Sequence, residues 1–66
     1  MEIRVNGDRV EVGEPLTIFE LLSRFDIDPR RVAVEHNLTV LKRDSFGDTL
    51  VRDGDEVEIV NFVGGG

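Results

Sequence analysis

Only one stretch of this chain spaces its apolar residues at the helical interval; the regular apolar runs elsewhere alternate. Ile18, Leu21, Leu22 and Phe25 fall at i, i+3, i+4 and i+7, one stripe on one helix face. Thr17 with Glu20 three positions on makes a capping box, and Leu16 and Leu21 sit where a hydrophobic staple places them. The spacing predicts a helix that ends near Phe25. A helix of roughly two turns does not persist alone in water, so its stripe has to lie on a sheet.

The alternating runs supply that sheet. Met1, Ile3 and Val5 alternate with Glu2, Arg4 and Asn6, and after Asn6-Gly7-Asp8 the alternation resumes at Val10 and Val12. Asn-Gly readily adopts the positive φ angles of a two-residue hairpin, so the chain opens with a β-hairpin. Gly13-Glu14-Pro15 then breaks the pattern ahead of the helix. Beyond Asp26-Ile27-Asp28-Pro29, the run Val32 to His36 reads as a strand that turns near Asn37 into a weaker one at Thr39 to Leu41. Residues 42–52 are less regular, with Phe46 expected to plug the core and Leu50 beside it. Asp53-Gly54-Asp55 is a turn, and Glu56 to Phe62 is the last strand.

A helix between strands favours a crossover to a parallel neighbour, which brings the last strand beside the first. The expected architecture is α+β, a β-grasp of the kind found in ubiquitin: a mixed sheet of four to five strands with one main helix packed on one face. The last strand is then central. The domain spans residues 1–63, followed by a flexible glycine tail at 64–66.

Size and charge narrow the function. A chain of 66 residues is near the lower range for a single apolar core and has little room for a deep active site. Asp and Glu number 14 against 8 Lys and Arg, a formal net charge of -6, which disfavours nucleic acid and suits a basic protein partner. There is no cysteine, so neither disulfides, thiolate nucleophiles nor the common zinc clusters are available. The N-terminal alternation is neither a signal peptide nor a membrane segment, and the expected compartment is the cytoplasm.

Constellations with catalytic or metal chemistry are thin. His36, the single histidine, reads as a partly exposed strand-end residue. Asp26 with Asp28, and Asp53 with Asp55, lack the ligand ladder and terminal Glu of a calcium loop and read as turn residues. Ser23, Ser45 and His36 come with no nucleophile elbow, and the glycine run with no helix or Lys-Ser/Thr of a phosphate loop. No metal site is expected.

The sequence closes on Val63-Gly64-Gly65-Gly66. Glycine backbone passes where no Cβ fits, and a terminal α-carboxyl with a pKa of about 3.3–3.7 is ionised at neutral pH. Three extended glycines reach roughly 10 Å, enough to enter a partner's active site. Ordering each of them costs about 1–2 kcal/mol, so such a partner must also grip the body. On the last strand Val57 and Ile59 share one face, and Val60 and Phe62 share the other with Glu58. If the first pair faces the helix, Val60 and Phe62 form an apolar docking patch at the root of the tail. The alternative is that Phe62 folds over the sheet edge as satellite core.

Taken in order, Asn6-Gly7, Val32-Ala33-Val34-Glu35-His36-Asn37, Asp53-Gly54-Asp55 and Phe62-Val63 before the glycines resemble the ThiS family of thiamine-biosynthesis sulfur carriers, over essentially the whole chain. Two departures are a third glycine and the pair Leu41-Lys42 where the family often has a proline. The resemblance implies that the Gly66 carboxylate is adenylated and then converted to a thiocarboxylate. Gly64 and Gly65 would enter the partner. It implies a carrier and not an enzyme, with no cofactor of its own and ATP used by the activating partner. The implied partners are a ubiquitin-activating-like (ThiF-type) adenylyltransferase, a sulfur donor protein and a ThiG-type thiazole synthase. The small subunit of molybdopterin synthase, which uses the same tail chemistry, and a β-grasp binding module with an idle tail are the alternatives.

Overall fold

The computed structural model describes residues 1–62, so the expected boundary at 63 and the tail at 64–66 lie outside the described residues. The opening hairpin pairs β1 (Glu2–Val5) with β2 (Asp8–Glu11) in an antiparallel ladder. Asn6 and Gly7 take φ of 51° and 86°, the positive angles a two-residue turn demands. β3 (Leu16–Thr17) leads directly into α1 (Ile18–Arg24). A 3-10 turn at Pro29–Arg31 precedes β4 (Val32–His36), which pairs with β5 (Thr39–Leu41). A second 3-10 turn at Arg43–Ser45, β6 (Leu50–Val51) and β7 (Glu56–Asn61) complete the order.

The main sheet runs β2-β1-β7-β4-β5, with β7 parallel to β1 and antiparallel to β4. This is the β-grasp expected from the order of elements, with the last strand at the centre. The second sheet was not anticipated: β3 and β6 form a two-stranded pair that fastens the irregular stretch between β5 and β7 to the start of the helix. Its register also corrects one core assignment. Val51 lies opposite Leu16 and both are buried, whereas Leu50 lies opposite Thr17 and is exposed. Directly opposed residues share a face, so once Leu16 points inward the buried member of the pair is Val51.

The helix begins as its sequence dictates. Thr17 Oγ1 accepts from the Glu20 amide at 3.1 Å, and Glu20 Oε1 accepts from the Thr17 amide at 2.9 Å. The bond from the Thr17 backbone holds the Glu20 carboxyl below its usual range. Ile18, Leu21 and Leu22 are completely buried, and Leu16, preceding the cap, is buried with them. Phe25 departs from the expected stripe, since it is 42% exposed. The cause is how the helix ends: Asp26 takes φ 58°, its amide donates to Ser23 O at 3.1 Å, and the Ile27 amide donates to Leu22 O at 2.9 Å. That is a Schellman closure, which folds Ile27 back toward the core and leaves Phe25 outside it.

The core lies between α1 and one face of the sheet. Ile3, Val32, Val34 and Val57 contribute from the strands and Val12 from just beyond β2, and Phe46 plugs it from the second 3-10 turn as expected. Asp28 caps the first 3-10 turn: it accepts from the Arg30 amide at 2.9 Å and from the Arg30 guanidinium at 3.1 and 3.0 Å. The Arg30 side chain is the main reason its carboxyl is pulled down to about 2.

Candidate functional site

The site begins with what holds β7 in place. On the β1 side, the Arg4 amide donates to Asp55 O and the Asn6 amide to Val57 O, both at 2.9 Å. β1 then turns away, and the Asn6 side chain takes over its role. The Ile59 amide donates to Asn6 Oδ1 at 2.7 Å, and Asn6 Nδ2 donates to Ile59 O at 3.1 Å. A side chain thus replaces a strand residue. On the β4 side the ladder continues to the Phe62 amide, which donates to Arg31 O at 2.9 Å.

The entry to β7 is fixed by its turn. Gly54 takes φ 85°, its amide donates to Glu2 O at 2.8 Å, and Asp53 Oδ1 accepts from the Glu2 amide at 2.7 Å. Asp55 Oδ2 accepts from the Arg52 amide at 2.8 Å and lies 2.7 Å from His36 Nε2. Their side chains are 17% and 16% exposed, so His36 is the partly exposed strand-end residue expected from sequence, with the addition of a carboxylate partner. It sits against Asp55 because β4 and β7 run antiparallel, which brings the end of one beside the start of the other. Burial pushes the Asp55 carboxyl up, but hydrogen bonds from His36, the Arg52 amide and Asn37 outweigh it and hold the group below its ordinary value. Asp53 and Asp55 are therefore turn residues with structural bonds. Among the described residues no three His, Cys, Asp or Glu side chains are grouped to hold a metal ion.

β7 sorts its side chains by parity. Val57 is buried and Ile59 is packed against the core, so these face the helix. Val60 and Phe62 lie on the opposite, open face, 60% and 54% exposed. The satellite-core alternative for Phe62 does not hold at that exposure. Ala33 lies opposite Val60, Glu35 opposite Glu58, and Val40 opposite Glu35 on the far strand. Ala33 and Val40 are exposed too, which extends an apolar strip across three strands. Gly64, Gly65 and Gly66 lie outside the described residues.

A five-stranded mixed sheet, one capped helix and a central last strand leading on to glycines define a ubiquitin-like β-grasp domain. The crystal structure of the thiamine biosynthesis protein ThiS from Geobacter metallireducens superposes with a TM-score of 0.88 at 43% identity, covering all of both chains. The sequence profile of the ThiS family matches residues 2–66, and this chain belongs to that family. It is 36% identical over 65 residues to the sulfur carrier protein ThiS of Bacillus subtilis, covering 97% of this chain and 98% of that one. It is also 39% identical over 66 residues to a thiazole synthase of Paramagnetospirillum magneticum. There the whole chain spans only 20% of the relative's length.

Sequence reasoning missed Asn6 as a strand surrogate and His36 as the partner of Asp55. Asn6 and Ile59 are 53 positions apart, and His36 and Asp55 are 19 apart, so no local pattern joins them. Among the described residues, no helix is long and apolar enough to cross a membrane.

Proposed function

We propose that this chain is the sulfur carrier of thiazole formation, a protein cosubstrate on which partner enzymes act. Membership of the ThiS family along residues 2–66 carries the reading. With Gly66 as the last residue, its carboxylate oxygen attacks the α-phosphorus of ATP and pyrophosphate leaves. The product is an acyl adenylate, in which an unreactive carboxylate has become an electrophile. Hydrosulfide-level sulfur supplied by a donor protein then attacks the acyl carbon and AMP leaves, giving the terminal thiocarboxylate directly. If the donor delivers a persulfide, the acyl disulfide formed first is cleaved by a thiol reductant, which releases the donor and leaves the thiocarboxylate. Gly64 and Gly65 would thread the partner's channel, where side chains would not pass. ATP is bound by the adenylyltransferase, and this chain contributes no cofactor. The proposed compartment is the cytoplasm.

Thiazole synthase is the proposed acceptor. A relative of that name contains a segment similar to this entire chain, so donor and acceptor can occur in one polypeptide. That observation favours thiazole synthase over molybdopterin synthase. The proposed grip is the open face at Val60 and Phe62, whose exposure leaves apolar surface available beside the start of the tail.

Intact-mass measurement after incubation with the adenylyltransferase, ATP and a sulfur source tests the carrier reading. Exchange of one oxygen for sulfur is expected. If an authentic carrier is converted in parallel and this chain is not, the reading fails.

A further inference from the structure

We propose that Glu35 and Glu58 complete the docking surface begun by Val60 and Phe62, and that the surface binds a protein face presenting arginine beside an apolar contact. The inference rests on the carrier reading, with the adenylyltransferase as the partner that presents this chemistry.

Glu35 and Glu58 are directly opposed in the β4–β7 ladder, near the middle of the open face. The Phe62 amide bonds toward β4, so residues 58, 60 and 62 all direct their backbone groups to that strand. Glu35 and Glu58 thus form a hydrogen-bonded pair, in which Cα atoms lie about 5.5 Å apart. Like charges placed directly opposite one another destabilise a sheet. Among the described residues no basic group lies within 4 Å of either carboxylate. Arg9 pairs with Glu2 at 3.4 Å, and Arg30 and Arg31 pair with Asp28 at 3.0 and 3.9 Å. Arg4 is registered opposite Glu56.

Within the described domain, then, two like charges stand opposed with no ion pair to either of them. The pair's surroundings show what would compensate. Val40 lies on one side of the pair, and Val60 with Ala33 on the other, all of them exposed. A partner covering the apolar strip would exclude water from both carboxylates at once. The group that suits two closely spaced carboxylates in such a place is a guanidinium, planar, weakly hydrated and able to donate to both. An ammonium is a poorer match because it is more strongly hydrated. Glu58 and Val60 on β7, and Phe62 directly after it, share one face, so the charge contact and the apolar contact lie in one row.

The test is the double substitution Glu35→Gln/Glu58→Gln, which keeps shape and removes both charges. The melting temperature should rise by roughly 1–5 °C as the like-charge contact is relieved. Affinity for the purified adenylyltransferase should fall about tenfold or more, most visibly at low salt. A control with the same change in net charge, Glu14→Gln/Asp48→Asn, should lose far less. Unchanged affinity in the first variant, or equal loss in the control, overturns the proposal, as does a wild-type chain that does not bind the enzyme. A wild-type chain that binds tightly yet never gains sulfur would sink the carrier reading instead, leaving the surface to be judged on the affinities alone.

Discussion

His36 and Asp55 meet at 2.7 Å with most of both side chains out of water, and Asp55 also accepts from the Arg52 amide. Asp55→Ala removes both bonds and strands a donor on each partner. It should cost about 1.5–3 kcal/mol in urea unfolding. The acid dependence has a definite sign. Because the folded carboxyl titrates below its ordinary 3.8, its stabilisation is complete above that pH and drains away as pH falls through the lower folded value. The stability gap between wild type and Asp55→Asn should therefore be widest near neutrality and narrow below pH 3.8. Asn6 is the other residue with more than one task. It supplies a positive φ to the first turn and two side-chain bonds to Ile59. Asn6→Gly keeps the first and removes the second, so it should cost about 1–2 kcal/mol while near-native circular dichroism shows the hairpin intact.

At the scale of elements, α1 has seven residues and depends on its cap and its buried stripe. Thr17→Ala should cost about 1 kcal/mol, read from the shift in denaturant midpoint at unchanged slope. β7 responds differently according to which of its faces is changed. Phe62→Ala should leave the melting temperature nearly unchanged, because the side chain is half exposed, and should weaken docking on the adenylyltransferase. Affinity equal to wild type would remove Phe62 from the interface. Much of this was legible in the sequence, because periodicity reports which face of an element is apolar. The stripe at Ile18, Leu21 and Leu22, the hairpin at Asn6-Gly7 and the split of Val57 from Val60 all followed from spacing. Phe25 and Leu50 did not, since each was decided by something outside its own run: a Schellman closure that favours Ile27, and a pairing register set by Leu16. The β3–β6 pair is two residues on each strand, too short for alternation to signal it.

For the molecule as a whole, the described domain has its core between helix and sheet, and the buried residues run from Ile3 to Val57. Removing Gly65 and Gly66 should leave the thermal transition in place and abolish sulfur loading, read by intact mass. A large loss of melting temperature would show instead that these glycines support the fold. The formal net charge of -6 should also make encounter with a basic partner fall as salt is raised, visible in association rates. The alternation along β7 has a consequence for how such proteins can be re-engineered. Val57 and Ile59 pack toward the core, while Glu58, Val60 and Phe62 lie on the open face, so one run of residues carries two interleaved messages. Randomising only the second set should yield carriers that fold alike yet respond to different enzymes, mutually deaf pairs within one cell.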